Sequence, residues 1–139
     1  MGFNEELFQK QIFDASTVKK FLREAEVDLG LAYQNSEPRA QFWFVYSSFL
    51  RCGMALMATR GYRVRSKEGH HIFIIQKIAE ILNDSSILDA GDYMRKKRNK
   101  DAYREIVSPT EEEISRYLNF VSDIYKRTEY YISKQEHLF

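Results

Sequence analysis

The residues best suited to chemistry lie in one short stretch, Met94 to Arg104, of a chain of 139 residues. Six of its eleven residues are basic, and an asparagine, an aspartate and a tyrosine stand among them. Arginine offers a rigid fork of N–H donors that fits phosphate, and amide and phenol groups can bind a base or a ribose. The stretch therefore predicts either a surface that binds phosphate or nucleotide, or a charged helix face that is only solvated.

Helical geometry divides the basic stretch into two faces. At about 100° per residue, Arg95, Arg98 and Asn99 share one face. Tyr103 lies at the edge of that face, and the lysines lie on the other side. The spacing thus predicts a phosphate-reading face of two arginines and an amide, flanked by lysines.

The net charge of the chain is only +1, so attraction of an anion has to come from local clustering. No cofactor is predicted. No metal site is predicted either, because the histidines and the single cysteine are not spaced as ligands and adjacent side chains diverge on a helix. Cys52 lies in an apolar run and is interpreted as a small buried residue of a protein in a reducing compartment, the cytoplasm.

His70 and His71 form an adjacent pair at the start of a helical segment. One interpretation is that one of the rings reaches the arginine face and supplies an imidazole there. The other is that the pair caps its own helix or packs against a neighbouring helix, which is the commoner use of such residues. The sequence leaves both interpretations open.

Hydrophobic periodicity predicts five helices that must position these residues. The first begins near Asp14 and stops before Pro38, where the second starts and runs to a stop at Gly61. Apolar residues surround the segment 42–58 on nearly every side, so the second helix is predicted to be the buried centre. Arg51 within it argues against a transmembrane span.

The remaining three helices complete the predicted fold. The fourth begins near Ile87 and carries the basic stretch, and the fifth follows a capping box of Thr110 and Glu113. The apolar stripe predicted for the third consists of Ile72, Ile75, Ala79 and Leu82. We expect an all-α protein, an up-and-down four-helix bundle with a fifth shorter helix. The expected organisation is an N-terminal arm over residues 1–13 and a single domain over residues 14–135, with no signal peptide.

Several motifs occur together in a recognisable order. Arg98-Asn99 precedes Tyr103, a long apolar second helix ends in Gly-Tyr-Arg at 61–63, and Gly-His-His at 69–71 opens the third helix. This combination resembles the HEPN family (higher eukaryotes and prokaryotes nucleotide-binding) over residues 14–134.

The resemblance implies a bundle of four or five helices, usually a homodimer, with the arginine motifs facing a cleft at the dimer interface. Many members of the family are metal-independent endoribonucleases, often toxins paired with a nucleotidyltransferase, and other members are inactive binding domains. The implied partners are therefore RNA or a nucleotide, together with a nucleotidyltransferase, and no membrane.

The family motif places a histidine four to six residues after its arginine. Here Tyr103 stands at that place if Arg98 is the motif arginine, and Asp101 replaces the histidine if the motif starts at Arg95. Tyrosine is a poor base at neutral pH and aspartate a poor acid. The resemblance then implies a ribonuclease with weakened or lost catalysis, with Arg98 and Tyr103 as its catalytic residues. The implied nucleotide- or RNA-binding residues are Arg95, Arg98, Asn99, Asp101, Tyr103, His70 and His71.

A different class of protein also fits the basic helix. In that alternative the chain is a non-catalytic interaction module, and the helix docks an acidic partner protein or a nucleotidyltransferase without any nucleic acid. The two classes differ in their response to RNA, because phosphate contacts make affinity fall linearly with salt on a logarithmic scale.

Overall fold

The computed structural model describes residues 2–65, 70–102 and 108–136, with only the backbone for 100–102 and 136. Helices make up most of it, which confirms the all-α class in broad terms, and one small sheet is added. The elements in chain order are β1 Phe8–Lys10, α1 Ala15–Gln34, α2 Pro38–Thr59, β2 Tyr62–Val64, α3 His70–Ile81, α4 Ser86–Ala102 and α5 Glu111–Glu136.

The helix ends follow the capping residues predicted from the sequence. The Asp14 carboxylate accepts a hydrogen bond of 2.8 Å from the backbone N–H of Thr17 and so begins α1. Pro38 occupies the first turn of α2, and Gly61, at a φ of 81°, follows its end. At the start of α5, the Thr110 hydroxyl accepts from the N–H of Glu113, which closes the predicted capping box.

The N-terminal arm contains a strand, which the sequence did not predict. β1 pairs antiparallel with β2, with Phe8 opposite Val64. Each strand has three residues, which is too short for an alternating pattern to be recognised. Phe8 is buried, and the ring of Phe3 stacks on Tyr62 with centroids 4.0 Å apart. The arm is therefore packed against the connection between α2 and α3.

α2 is the central helix, as its apolar composition predicts. Twelve of its residues are buried, and α1, α3 and α5 all pack against it. Its Ser48 hydroxyl donates to the carbonyl of Ala25 on α1 at 2.7 Å. Arg51 forms ion pairs with Glu24 and Asp28 of α1, so the arginine in the apolar run has acidic partners at its side.

The apolar stripe predicted for α3 is confirmed at Ile75 and Ala79, which are buried, but it is wrong at Ile72 and omits two buried residues. Ile72 is 36% exposed, whereas Ile74 and Ile78 are fully buried. These two side chains pack onto α2 at Gly53, where a Cβ atom would lie 2.4 Å from Cγ2 of Ile74. The missing side chain on α2 makes room for Ile74 and Ile78, so tertiary packing extends the buried face of α3 beyond the predicted stripe.

α4 packs through a narrow inner stripe. Ile87, Gly91 and Met94 succeed one another at helical spacing, and all three are buried. A Cβ atom at Gly91 would lie 2.6 Å from Cγ2 of Ile75 on α3 and 3.1 Å from the ring of Phe49 on α2. The glycine therefore lets α4 approach both helices closely.

Within the described ranges, no helix combines the length and the apolar composition that crossing a membrane requires.

Gly91→Ala is expected to lower the free energy of unfolding by about 1–3 kcal/mol, because the added methyl group must displace Ile75 or Phe49 in a packed core. The matched control is Gly30→Ala within α1, where nothing lies within 4 Å of the new methyl group. There the helix propensity of alanine should raise the free energy by about 0.5–1 kcal/mol. Urea unfolding followed by circular dichroism gives both values. Equal shifts of the same sign would contradict the close packing at Gly91.

Candidate functional site

Arg98 continues the inner stripe of α4 one turn beyond Met94. The inner stripe is apolar up to Met94, and it ends at Arg98, whose charged side chain is half-buried. Its guanidinium carbon lies 4.9 Å from the ring centroid of Trp43 on α2, a distance at which a cation is attracted to the ring face. This contact holds the guanidinium group at the end of the core while leaving part of it accessible.

Arg95 lies one turn earlier and is held by an acid on its own helix. Its Nε and Nη2 groups donate to Oδ1 of Asp92 at 3.1 and 2.8 Å, and its side chain is 19% exposed. Lys96 approaches the other oxygen of Asp92 at 3.0 Å. These hydrogen bonds, first that of Arg95, lower the pKa of the Asp92 carboxyl group. One carboxylate therefore offsets part of the charge of the cluster and fixes one guanidinium group.

His71, at the start of α3, joins the same cluster. Its Nδ1 lies 3.1 Å from the hydroxyl of Tyr46 on α2, and the two rings meet edge to face with centroids 5.6 Å apart. Burial lowers the pKa of His71 to about 4, and the charges of His70, Arg98 and Arg95 act in the same direction. The imidazole is therefore neutral at pH 7 and within electrostatic reach of both arginines.

Tyr46 connects the histidine to the core. Burial raises the pKa of its hydroxyl group to about 12, an effect that Arg98 and Arg95 partly oppose. The phenol therefore keeps its proton at neutral pH. When it donates that proton to Nδ1 of His71, the proton of the neutral imidazole resides on Nε2.

The two interpretations of the histidine pair are thus answered differently for each ring. His71 packs against Tyr46 of α2 and lies within electrostatic reach of Arg98 and Arg95. His70 is half-buried next to it, with ring centroids 4.5 Å apart, and its charge disfavours protonation of His71. The structure places an imidazole of α3 within electrostatic reach of the arginine face, although the motif position after Arg98 holds none.

The other predicted site residues are placed less fully. Asn99 is half-buried on α4, next to Arg98. Asp101 lies in the last turn of α4, where only the backbone is described, and Tyr103 lies outside the described residues. The described geometry therefore places Arg95, Arg98 and His71 in one region, and it gives no side-chain position for Asp101 or Tyr103.

Lys97, one of the lysines that helical geometry places on the other side of α4, is not solvated. Its Nζ lies 2.6 Å from Oε2 of Glu113 at the start of α5, and both side chains are largely buried. The hydrogen bond from Lys97 is the main cause of the lowered pKa of Glu113. Lys97 thus joins α4 to α5, and it does not add to the positive surface.

Sequence reasoning missed three residues of the cluster, Trp43, Tyr46 and Asp92. The apolar composition of α2 predicts that both Trp43 and Tyr46 are buried, yet Trp43 is 41% exposed. Their spacing of three residues places them on one face of α2, and Asp92 stands one turn before Arg95. These spacings were a usable signal, but only the approach of α4 shows which face they meet.

The single cysteine is buried as predicted. Cys52 is fully inaccessible, and burial raises the pKa of its thiol to about 12, so it is not a reactive thiolate. In the described part of the chain, no cluster of three or more His, Cys, Asp or Glu side chains has a geometry that would hold a metal ion.

No protein-family model, no curated protein and no solved structure matches this chain.

His71 is expected to titrate near pH 4 in the folded chain, well below the ordinary histidine pKa of 6.5, because its ring is buried beside positive charges. Two-dimensional NMR of the imidazole resonances measures this pKa directly. Arg98→Ala should raise it by removing one of those charges, while burial keeps it below 6.5.

The same pKa shift makes stability depend on pH. Between pH 6.5 and 4 the unfolded chain binds more protons at His71 than the folded chain, so the free energy of unfolding falls as the pH is lowered through this window. His71→Gln should flatten the slope there, and the carboxyl groups common to both proteins cancel in the comparison. Identical slopes would contradict the environment described for His71.

Proposed function

We propose that this chain is a HEPN-like protein that binds RNA or a nucleotide, with Arg95, Arg98 and Asn99 as the phosphate-binding face and His71 beside it. The observation that carries the proposal is that Arg98 of α4 and His71 of α3 contact Trp43 and Tyr46, which lie three residues apart on α2, so that both arginines are within electrostatic reach of a neutral imidazole. A solvated helix face gives no reason for such an arrangement, since it needs neither a half-buried arginine nor a histidine.

The charge balance of the cluster supports an anionic ligand. Arg95, Arg98 and Lys96 provide three positive charges, and Asp92 is the one carboxylate that the described contacts place among them. His71 adds no charge at neutral pH. A phosphate would bring the missing negative charge and could accept bidentate hydrogen bonds from a guanidinium group.

The proposal includes the finer architecture and setting expected of the family. The four longest helices would form an up-and-down bundle with α3 as the shorter fifth helix, in a cytoplasmic homodimer with a nucleotidyltransferase as a partner. Side-chain contacts support the up-and-down directions of these helices. Ser48 of α2 contacts Ala25 of α1, Arg51 contacts the earlier Glu24, and Arg60 contacts the late Tyr131 of α5. α1 therefore runs antiparallel to α2, and α5 runs parallel to α2.

Arg98→Ala is expected to weaken binding of a single-stranded RNA about 10- to 150-fold, because a charged hydrogen-bond donor to phosphate is removed. The slope of log affinity against log salt should also become shallower by about 0.7 for each phosphate that the variant no longer neutralises. Fluorescence anisotropy of a labelled RNA over a series of salt concentrations measures both quantities.

Two variants act as controls for this experiment. Lys96→Ala removes the same charge from a side chain of the same helix that is 65% exposed, and should change the affinity less than about threefold. Arg98→Lys keeps the charge and loses the planar fork, so its affinity should lie between those of the parent and Arg98→Ala. No RNA binding at low salt, or an equal loss in Lys96→Ala and Arg98→Ala, would contradict the proposed site. Binding of an acidic protein partner without RNA would favour the interaction module.

A second candidate function, slow metal-independent cleavage of RNA, is favoured by the position of His71. In the other tautomer of the neutral imidazole, Nδ1–H donates to the Tyr46 hydroxyl oxygen and Nε2 can accept the proton of a ribose 2′-hydroxyl group. The 2′-oxygen then attacks the phosphorus, the bond from phosphorus to the 5′-oxygen breaks, and the leaving 5′-oxygen takes a proton from water. Two guanidinium groups can stabilise the charge that develops on the phosphate. The histidine comes from α3, so this chemistry would not require one at the usual motif position.

Structured RNA incubated with the protein and a chelator is expected to be cleaved slowly. His71→Gln and Arg98→Ala should abolish the cleavage, whereas His71→Gln should keep its RNA affinity within about threefold, since the neutral imidazole contributes no charge to binding. Gel electrophoresis of end-labelled RNA measures the rate. Tyr103→Phe tests the catalytic role that the resemblance assigns to that residue. Full activity in His71→Gln would exclude the imidazole from the reaction.

A further inference from the structure

We propose that Trp43 is a stacking surface for an unpaired base and that it makes the site selective for single-stranded RNA over duplex RNA. This inference rests on the proposed function, because it names the kind of nucleic acid that the phosphate-binding face would accept. Trp43 is a residue that the motif resemblance does not include.

The first argument is the exposure of the indole in the central helix. Of the neighbouring aromatic residues of α2, Phe42, Tyr46 and Phe49 are buried and Phe44 is half-buried. Trp43 leaves 41% of its surface exposed, close to the N-terminal end of the helix. The exposed part of the indole is accessible to a ligand, and a nucleobase has the shape and the flat π face to stack on an aromatic ring.

The second argument is the position of the indole relative to the arginines. Arg98 lies over the Trp43 ring at 4.9 Å, so a phosphate held by this guanidinium group is within one nucleotide of the ring. Proteins that bind single strands combine such cationic groups with aromatic rings on which bases stack. The described contacts bring both components together at one site.

Other exposed aromatic rings provide a comparison. Tyr93 and Tyr130 are at least as exposed as Trp43. Tyr93 lies beside the ring of Tyr117, and Tyr130 has Lys134 at 4.8 Å. Neither has a described contact with Arg95 or Arg98, so neither combines a stacking surface with the proposed phosphate site.

The selectivity follows from the structure of the nucleic acid. In a duplex the bases are paired and stacked on one another, so a ring on a protein surface cannot stack on them without opening the helix. An unpaired base is free to leave its neighbours and cover the indole. Duplex RNA could still place its phosphates on the arginines, but it would lose the contribution of Trp43.

The chain contains a single tryptophan, so its fluorescence reports directly on the proposed surface. The full chain is titrated with a short single-stranded RNA, with the same sequence as a duplex, and with inorganic tripolyphosphate. The single strand should change the emission of Trp43 strongly and bind more tightly than the duplex. Tripolyphosphate, which has no base, should bind to the arginines with a smaller change in emission.

Variants then separate stacking from phosphate binding. Trp43→Leu should lower the affinity for the labelled single strand by roughly 5- to 150-fold. The affinity for tripolyphosphate should fall by a clearly smaller factor, because this probe loses only the support that the indole gives to Arg98. Trp43→Phe keeps an aromatic face and should retain most of the affinity. Tyr130→Leu is the matched control, because it removes a ring that is 61% exposed and also lies near a cation, but far from Arg98 in the sequence. Urea unfolding checks that each variant is folded.

The two hypotheses fail in different ways. Equal affinity for single strand and duplex, together with an unchanged affinity in folded Trp43→Leu, would overturn the stacking proposal and leave phosphate binding intact. Absence of binding to all three probes at low salt would overturn the proposed function and the stacking proposal together. A loss in Tyr130→Leu equal to that in Trp43→Leu would place the aromatic contribution outside this site.

Discussion

The candidate site depends on one steric constraint, the close approach of α4 to α2 and α3 at Gly91. With no side chain there, the helix settles against Ile75 and Phe49, and its inner stripe is carried one turn further to Arg98. The same approach sets Arg98 over Trp43 and brings the arginines within electrostatic reach of His71. A van der Waals contact between helices thus determines the geometry of a polar cluster that lies nearly two turns away along α4.

The cluster holds more positive charge than its own acid can offset. Asp92 engages Arg95 and Lys96, while Arg98 has an aromatic face beneath it and a neutral imidazole nearby. Keeping His71 neutral avoids a further like charge among the guanidinium groups, and this repulsion adds to burial in lowering its pKa. A bound anion would offset the remaining positive charge of the cluster and so lower its electrostatic energy.

Local chemistry explains which parts of the structure were predictable. The caps at Asp14 and Thr110 act through backbone groups a few residues away, and the composition of α2 alone identifies a central helix. The three-residue strands, the burial of Ile74 and Ile78 and the ion pair of Lys97 depend on partners distant in sequence, which periodicity cannot reveal. Spacing along α4 predicts the arginine face, but the contact of Arg98 with Trp43 and the electrostatic effect of the arginines on His71 depend on the packing of three helices.

The pairing of β1 with β2 has a consequence for the order of folding. Gln9 and Arg63, which pair in this sheet, are separated by 54 residues, and α1 and α2 lie between them. β1 can therefore pair with β2 only after the ends of this long segment have come together. Closing so long a loop is slow compared with forming α1 and α2, whose contacts are more local. Because β2 ends at Val64 and α3 begins at His70, we expect the first turn of α3, and His71 with it, to be ordered late. The helices α1 and α2 would then pack before His71 takes its place near Arg95 and Arg98.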